Sequence, residues 1–355
     1  MKEVVNNMNK LENIPNKMHA LVLHEVGKLT YELVDNYKLK KDNVLVKMEY
    51  TGICSSDIER VFVNGTYHFP TIPGHEMAGK IVCVNDEDTE LLGKRVTIFP
   101  MLPCFDCDAC KKEEYAQCSN YNYFGSRCDG GFSEYLLVPK WNLVFTGDIG
   151  PKVACLSEPS AVSLHATNIL NPKEGDNVAI SGTGTIAVII GYFCKYKGAN
   201  VTIIGRNKNK LETIKELGFD VVNTSDIDKY KNTFDGVVEA VGSNESINQS
   251  IDLVKTFGKV VMVGNPKEDV LLNKNTYWKI LRKQLVITGS WNSSYGEKIN
   301  DWQEVIKYMV EGKIPFDRLI TKEFNLEESD DAFKFLMDKN TQKFKVVFKI
   351  DKEER

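Results

Sequence analysis

Val178-Ala179-Ile180-Ser181-Gly182-Thr183-Gly184-Thr185-Ile186-Ala187 passes from an apolar run through a glycine turn into a helical pattern. The turn reads G-x-G-x-x-A. The first glycine permits the tight bend, and the second lets the backbone approach a pyrophosphate at a helix N-terminus. The small third residue lets helix and strand pack closely. A strand pattern at 177–180 precedes the turn and a helical one at 185–197 follows it, which is the context that gives such a motif meaning. The alternation continues with a strand at 200–204, a helix at 208–217 and strands at 220–223, 236–239 and 259–263. Residues 245–255, between the last two strands, read as helix. This spacing predicts a doubly wound parallel sheet, an α/β fold. Gly182, Gly184, Thr185 and Ile186 are its candidate cofactor-binding residues.

The end of the second strand makes the expectation sharper. Val201-Thr202-Ile203-Ile204 is followed by Gly205-Arg206, where a site for NAD usually carries an acidic residue on the ribose 2′-hydroxyl. Glycine removes the carboxylate that would repel a 2′-phosphate, and arginine offers a planar phosphate clamp. Lys208 and Lys210 add positive potential. NADP(H) is therefore expected in preference to NAD(H).

Upstream the pattern is different. Short apolar runs at 20–23, 44–48, 79–84, 95–99 and 132–138, broken by Gly, Asn, Asp and Pro, predict an antiparallel β-rich domain with long loops. One of those loops, between Phe99 and Phe132, carries Cys104, Cys107, Cys110 and Cys118 in the pattern C-x2-C-x2-C-x7-C. Four thiolates this close together suit a closed tetrahedral structural zinc, a clip that holds a long loop otherwise without regular structure. Helices at 160–168, 302–311 and 328–338 and a strand at 343–350 complete the pattern.

Composition sets the outer limits. A chain of 355 residues favours two domains. A charged fraction of 26% and a net charge of −4 give a phosphate backbone no basic face to bind, so neither nucleic acid nor a membrane surface is expected as a partner. Residues 1–17 are Asn- and Lys-rich with no apolar core, and are read as a loose leader rather than a secretory signal. Nine cysteines, five of them outside the cluster, suggest a reducing cytoplasm.

Thr51-Gly52-Ile53-Cys54-Ser55-Ser56-Asp57, Gly74-His75-Glu76, the four-cysteine loop, Glu158-Pro159 and the nucleotide turn follow one another in that order. Together they resemble the zinc-dependent medium-chain alcohol and polyol dehydrogenases, in the sorbitol dehydrogenase-like branch, from about Met18 to the C-terminus. The resemblance implies a GroES-like catalytic domain over 18–167, to which 303–355 return, and a Rossmann domain over 168–302. It implies two zinc ions per chain. Cys54, His75 and Glu158 would ligate the catalytic one, with Glu76 a neighbour able to coordinate in some states, and the four cysteines the structural one. Ser56 matches the family's proton-carrying hydroxyl, and Asp57 would orient a ligand histidine. Glu59 stands where some members continue the relay with a histidine. Val241 and Gly264 join Gly205, Arg206 and Lys210 as implied cofactor contacts.

The implied substrate is a secondary alcohol on a small polyol, and more narrowly a sugar-alcohol phosphate of the galactitol-1-phosphate/tagatose-6-phosphate type. Arg127 is the first candidate for its phosphate, ahead of Lys279, Arg282 and Lys283. A zinc dehydrogenase acting on an unphosphorylated polyol, threonine or a simple secondary alcohol with NAD is the alternative, and a non-catalytic nucleotide-binding module lies further off. The family also implies a homodimer or homotetramer built through the nucleotide domain, for which the apolar residues 285–288 offer an edge.

Overall fold

The computed structural model describes residues 8–338 and 340–351. The chain falls into two compact units. One runs up to Glu158 and resumes at Tyr295, and the other is Pro159–Ser294. The resemblance implies these boundaries at 167/168 and 302/303. The return at Tyr295 has a local cause: its ring stacks on Phe99 with centroids 4.3 Å apart, and its hydroxyl donates to the Trp141 and Leu143 carbonyls. Trp302, fully buried, meets the same Phe99 ring edge-on.

The first unit is built on a largely antiparallel sheet. Its path runs Leu143–Phe145, Arg95–Ile98, Glu76–Asn85, Asn43–Ile53, Lys345–Lys349, Ile320–Asn325. Met8–Lys10 pairs with Glu76–Asn85, so this part of the expected loose leader is a strand. Residues 11–16 have no helix or strand and lead into the strand Lys17–Glu25, and the part of that expectation at 1–7 lies outside the described residues. Lys345–Lys349 inserts antiparallel to Asn43–Ile53, with Val346 opposite Ile53 and Val347 opposite Gly52. Met48, Ile81 and Phe348 of these strands form one buried core with Phe132 and with Phe333 of the helix Ser329–Met337. Each large side chain removed from water there contributes roughly 1.5–3 kcal/mol.

The cysteine loop has more regular structure than its sequence suggests. Met101–Leu102 pairs with Asn122–Tyr123, and a short helix, Asp108–Lys111, lies between them. A purely irregular thirty-residue loop would leave many backbone groups without partners, and this pairing closes its base.

The second unit is a six-stranded parallel sheet. Its order is Asp220–Asn223, Asn200–Gly205, Asn177–Ser181, Phe234–Glu239, Val254–Met262, Val286–Gly289. Counted along the chain this is the 3-2-1-4-5-6 order of a dinucleotide-binding sheet. Val178, Ala179, Ile180 and Ser181 are all buried, as expected for a central strand covered on both faces. Among the described residues no helix is long and apolar enough to cross a membrane.

Candidate active site and metal centres

Cys54 ends the strand Asn43–Ile53 and caps the short helix Ser55–Glu59. His75 immediately precedes the strand Glu76–Asn85, and the register pairs Gly52 with Glu76. That pairing brings the two strand ends together. Cys54, His75 and Glu76 each present a ligand atom within 4.8 Å of the others. Gly52 and Gly74 make the approach feasible. A Cβ on Gly52 would sit 2.0 Å from Glu76 Oε2, and one on Gly74, at φ +97°, would meet Phe132 Cδ1 at 2.4 Å.

The groups around this trio are tightly organised. Asp57 Oδ2 accepts from the Cys54 backbone N–H at 2.9 Å. Its Oδ1 accepts from Arg60 at 2.9 Å and lies 3.3 Å from His75 Nδ1. Burial alone would raise the Asp57 carboxyl, but the adjoining His75 and Arg60 hold it down near 2. The same carboxylate outweighs the burial that would otherwise depress the His75 imidazole. With Nδ1–H directed to Asp57, the Nε2 lone pair is left for a metal. Arg60 Nη1 also donates to Ser56 Oγ at 3.0 Å.

Glu76 is held from the far end of the chain. Buried Lys345 donates to its Oε1 at 2.5 Å and stays charged, because that carboxylate outweighs the cost of burial. Glu76 Oε2 is buried with no hydrogen-bond partner. An orphaned carboxylate oxygen beside a thiol and an imidazole is the donor set that a divalent cation such as zinc satisfies.

Glu158 stands apart from the trio. Its Oε1 accepts from Tyr123 OH at 3.3 Å, and the Tyr123 ring lies 5.8 Å from His75, centroid to centroid. Burial pushes the Glu158 carboxyl up to about 7, with Glu76 adding to the effect and His75 opposing it.

The four cysteines converge as their spacing suggests, with all four sulfurs within 4.8 Å of one another. Cys104–Cys110 and Cys107–Cys118 are 3.9 Å apart and Cys104–Cys118 3.4 Å, all far beyond disulfide length. A tetrahedron with metal–sulfur bonds of ~2.3 Å has edges of about 3.8 Å. Backbone N–H groups of Cys110 and Ser119 pull the Cys107 thiol down to about 5, toward the thiolate that such a metal requires.

In the second unit, Gly182 (φ +127°) and Gly184 form the turn after Asn177–Ser181, and Thr185 opens the helix Thr185–Tyr196. A Cβ on Gly184 would meet nothing within 4 Å, so the helix N-terminus faces open space that a pyrophosphate fits. Gly264 and Gly242 pack so closely that a Cβ on Gly264 would lie 2.2 Å from Gly242 N. A Cβ on Gly205 would strike Thr183 at 2.3 Å, and Arg206 beyond it is exposed. Val241 is 42% exposed at the end of the neighbouring strand.

Lys279 and Lys283, the secondary phosphate candidates, are engaged by partners within the second unit. Lys279 pairs with Asp252, while Lys283 donates to the carbonyls of Ile251, Asp252 and Val254. Sequence reasoning missed Arg60, Tyr123 and Lys345. Arg60 was within reach of the pattern, since it lies three and four residues after Asp57 and Ser56 on a helical turn. Lys345 gave no such signal, because its partner is 269 residues away.

Fold, donor sets and glycine turn together define a zinc-binding dehydrogenase of the medium-chain type. Residues 40–148 match the alcohol dehydrogenase GroES-like domain, and residues 182–311 match the zinc-binding dehydrogenase domain. The chain belongs to the zinc-type alcohol and polyol dehydrogenase family, a family of oxidoreductases. Among its relatives, galactitol 1-phosphate 5-dehydrogenase of Escherichia coli K12 is 32% identical over 300 residues, covering 81% of this chain and 87% of that protein. The crystal structure of galactitol-1-phosphate dehydrogenase from E. coli superposes with a TM-score of 0.87 at 30% identity, covering 94% of this chain and 100% of that one. A zinc-binding dehydrogenase of Sinorhizobium meliloti 1021, solved bound to NADP, gives a TM-score of 0.87 at 27% identity, with 94% and 99% covered.

Proposed function

We propose that this chain is a zinc-dependent oxidoreductase that moves hydride between NADP(H) and the secondary alcohol or ketone of a small polyol, a sugar-alcohol phosphate of the galactitol-1-phosphate type. The convergence of Cys54, His75 and Glu76 around an orphaned buried carboxylate oxygen carries the reading. Cys54 and His75 would hold a catalytic zinc with a carboxylate from Glu158 or Glu76, and the four cysteines a structural one. When bound, catalytic zinc supplies a Lewis acid that lowers the pKa of an alcohol or polarises a ketone.

The chain's own residues do the remaining work. Asp57 holds His75 in the tautomer that keeps Nε2 available. Arg60 donates to Ser56 Oγ, so the Ser56 hydroxyl proton is free to pass to or from the reacting oxygen. Lys345 neutralises one oxygen of Glu76 and leaves the other for the metal.

For the cofactor, Gly182, Gly184, Thr185 and Ile186 would receive the pyrophosphate, and Val241 and Gly264 would border the ribose and nicotinamide. Arg206 and Lys210 would contact the 2′-phosphate. Exposed Arg206 has no carboxylate on it among the described residues, and a 27%-identical relative was solved with NADP. The exposed edge strand Val286–Gly289, with Trp278 at 51% and Leu281 at 51% exposure beside it, supports assembly into a homodimer or homotetramer. Nine cysteines without a disulfide support a reducing, cytoplasmic location. The test is an oxidation screen with NADPH and with NADH against ketoses, ketose phosphates and simple ketones. Turnover of a ketose phosphate with NADPH supports the reading, and turnover confined to simple ketones with NADH overturns it.

A further inference from the structure

Two tyrosines close on the faces of one guanidinium in the first unit. Arg127 Cζ lies 4.0 Å from the Tyr67 ring centroid and 4.5 Å from that of Tyr121. Stacking covers the faces of a guanidinium and leaves its five N–H groups directed outward in the plane. Arginines that serve the fold aim those groups at carboxylates or carbonyls. Among the described residues none accepts from the Arg127 side chain. The nearby carboxylate is engaged elsewhere, since Asp129 Oδ1 accepts from Ile72 N–H at 3.0 Å and Oδ2 from Tyr37 OH at 3.4 Å.

The sandwich is anchored at its backbone. Arg127 N–H donates to the Tyr123 carbonyl at 2.9 Å, Tyr67 N–H donates to the Ser126 carbonyl at 3.2 Å, and His68 Nε2 lies 3.2 Å from the Arg127 carbonyl. Tyr123, at the other end of this single turn, is the residue that packs against His75 and donates to Glu158. An unpaired, preorganised cation therefore stands one turn from the metal-ligand set.

We propose that Tyr67, Arg127 and Tyr121 form the subsite for a phosphate monoester carried by the substrate, away from its reacting carbon. A guanidinium fork meets two phosphate oxygens in its own plane, and the half-exposed setting leaves the third oxygen in water. Contact with both rings already restrains the guanidinium, so less freedom is lost when the anion arrives. The subsite rests on the polyol-oxidoreductase reading for its role in turnover, but its affinity for phosphate can be measured without turnover.

The experiment has two arms on full-length, metal-loaded protein. In the first, inorganic phosphate is titrated into wild type, Arg127→Gln, Arg127→Lys, Tyr67→Phe and Tyr67→Leu, with binding read by calorimetry. Wild type and Tyr67→Phe are expected to bind. Arg127→Gln should weaken binding by roughly 10- to 100-fold, and Arg127→Lys and Tyr67→Leu by intermediate factors. In the second arm, kcat/KM is compared for a polyol phosphate, the same polyol without phosphate, and the corresponding sugar acid. The ratio of phosphate ester to free polyol should fall about 100-fold in Arg127→Gln. Unchanged phosphate binding in Arg127→Gln, an unchanged ratio, or a wild-type preference for the sugar acid overturns the proposal. Absence of hydride transfer with any polyol, alongside Arg127-dependent phosphate binding, would overturn the oxidoreductase reading and leave the anion site standing.

Discussion

Arg206 is the side chain on which the proposed NADP(H) preference turns. It follows the strand Asn200–Gly205, where Gly205 leaves no carboxylate to repel a 2′-phosphate. Charge-assisted hydrogen bonds of this kind are worth about 1.5–3 kcal/mol. Arg206→Ala should therefore raise KM for NADPH roughly 10- to 100-fold and leave KM for NADH nearly constant. A wild-type preference for NADH in the same assay would sink the assignment. Glu158 makes a second prediction at this scale, through pH. Its carboxyl, ordinarily near 4.5, is raised to about 7 by burial. The folded state thus holds the proton more tightly than the unfolded chain. The resulting stabilisation is complete below about pH 4.5 and disappears as the pH climbs through about 7. The effect belongs to chelated, metal-free protein. Thermal melts should show wild type losing stability from pH 5 to pH 8, with Glu158→Gln following a flatter course. Parallel curves would remove Glu158 from this role. Cys54, His75 and Glu76, which the structure brings together, were legible because their residue types carry metal chemistry, whereas Glu158, the third ligand that the resemblance implies, lies outside that trio. Lys345 was not legible, since pairing at that sequence distance is a product of the folded sheet.

The elements follow two different logics. The strand–helix alternation after Val178 was readable because buried parallel strands are continuous apolar runs and their helices carry a distinct period. The four-cysteine lobe was readable for the convergence of its sulfurs but not for its internal strand pairing. The strands Met101–Leu102 and Asn122–Tyr123 are two residues each, too short for an alternating pattern to emerge. Also hidden was the strand Lys28–Asp35, whose residues are mostly half-buried against Lys17–Glu25. If the four cysteines hold a structural zinc, as proposed, loss of that metal should act on stability before turnover. Cys107→Ser is expected to remove one metal per chain and to lower Tm by on the order of 10 °C, given ~2–4 °C per kcal/mol in units of this size. Below the melting range, kcat should stay within about threefold of wild type. A loss of turnover without a fall in Tm would give the lobe a direct catalytic part.

At the scale of the whole molecule, one unit carries the candidate metal ligands and the other the glycine turn and helix N-terminus proposed to receive a dinucleotide. The first unit is assembled from both ends of the sequence, and that is why Lys345 reaches Glu76. Each unit has its own core, and the family to which both belong is an oxidoreductase family. The account stands on the claim that this chain carries two zinc sites with separate duties. The most direct test measures zinc per chain and NADPH oxidation by a ketose phosphate on the same preparations of wild type and Cys54→Ser. The account predicts two zinc ions and turnover for wild type, and one zinc ion without turnover for Cys54→Ser. A wild type that binds one zinc and transfers no hydride, or a Cys54→Ser variant that keeps both zinc ions and full turnover, would contradict it.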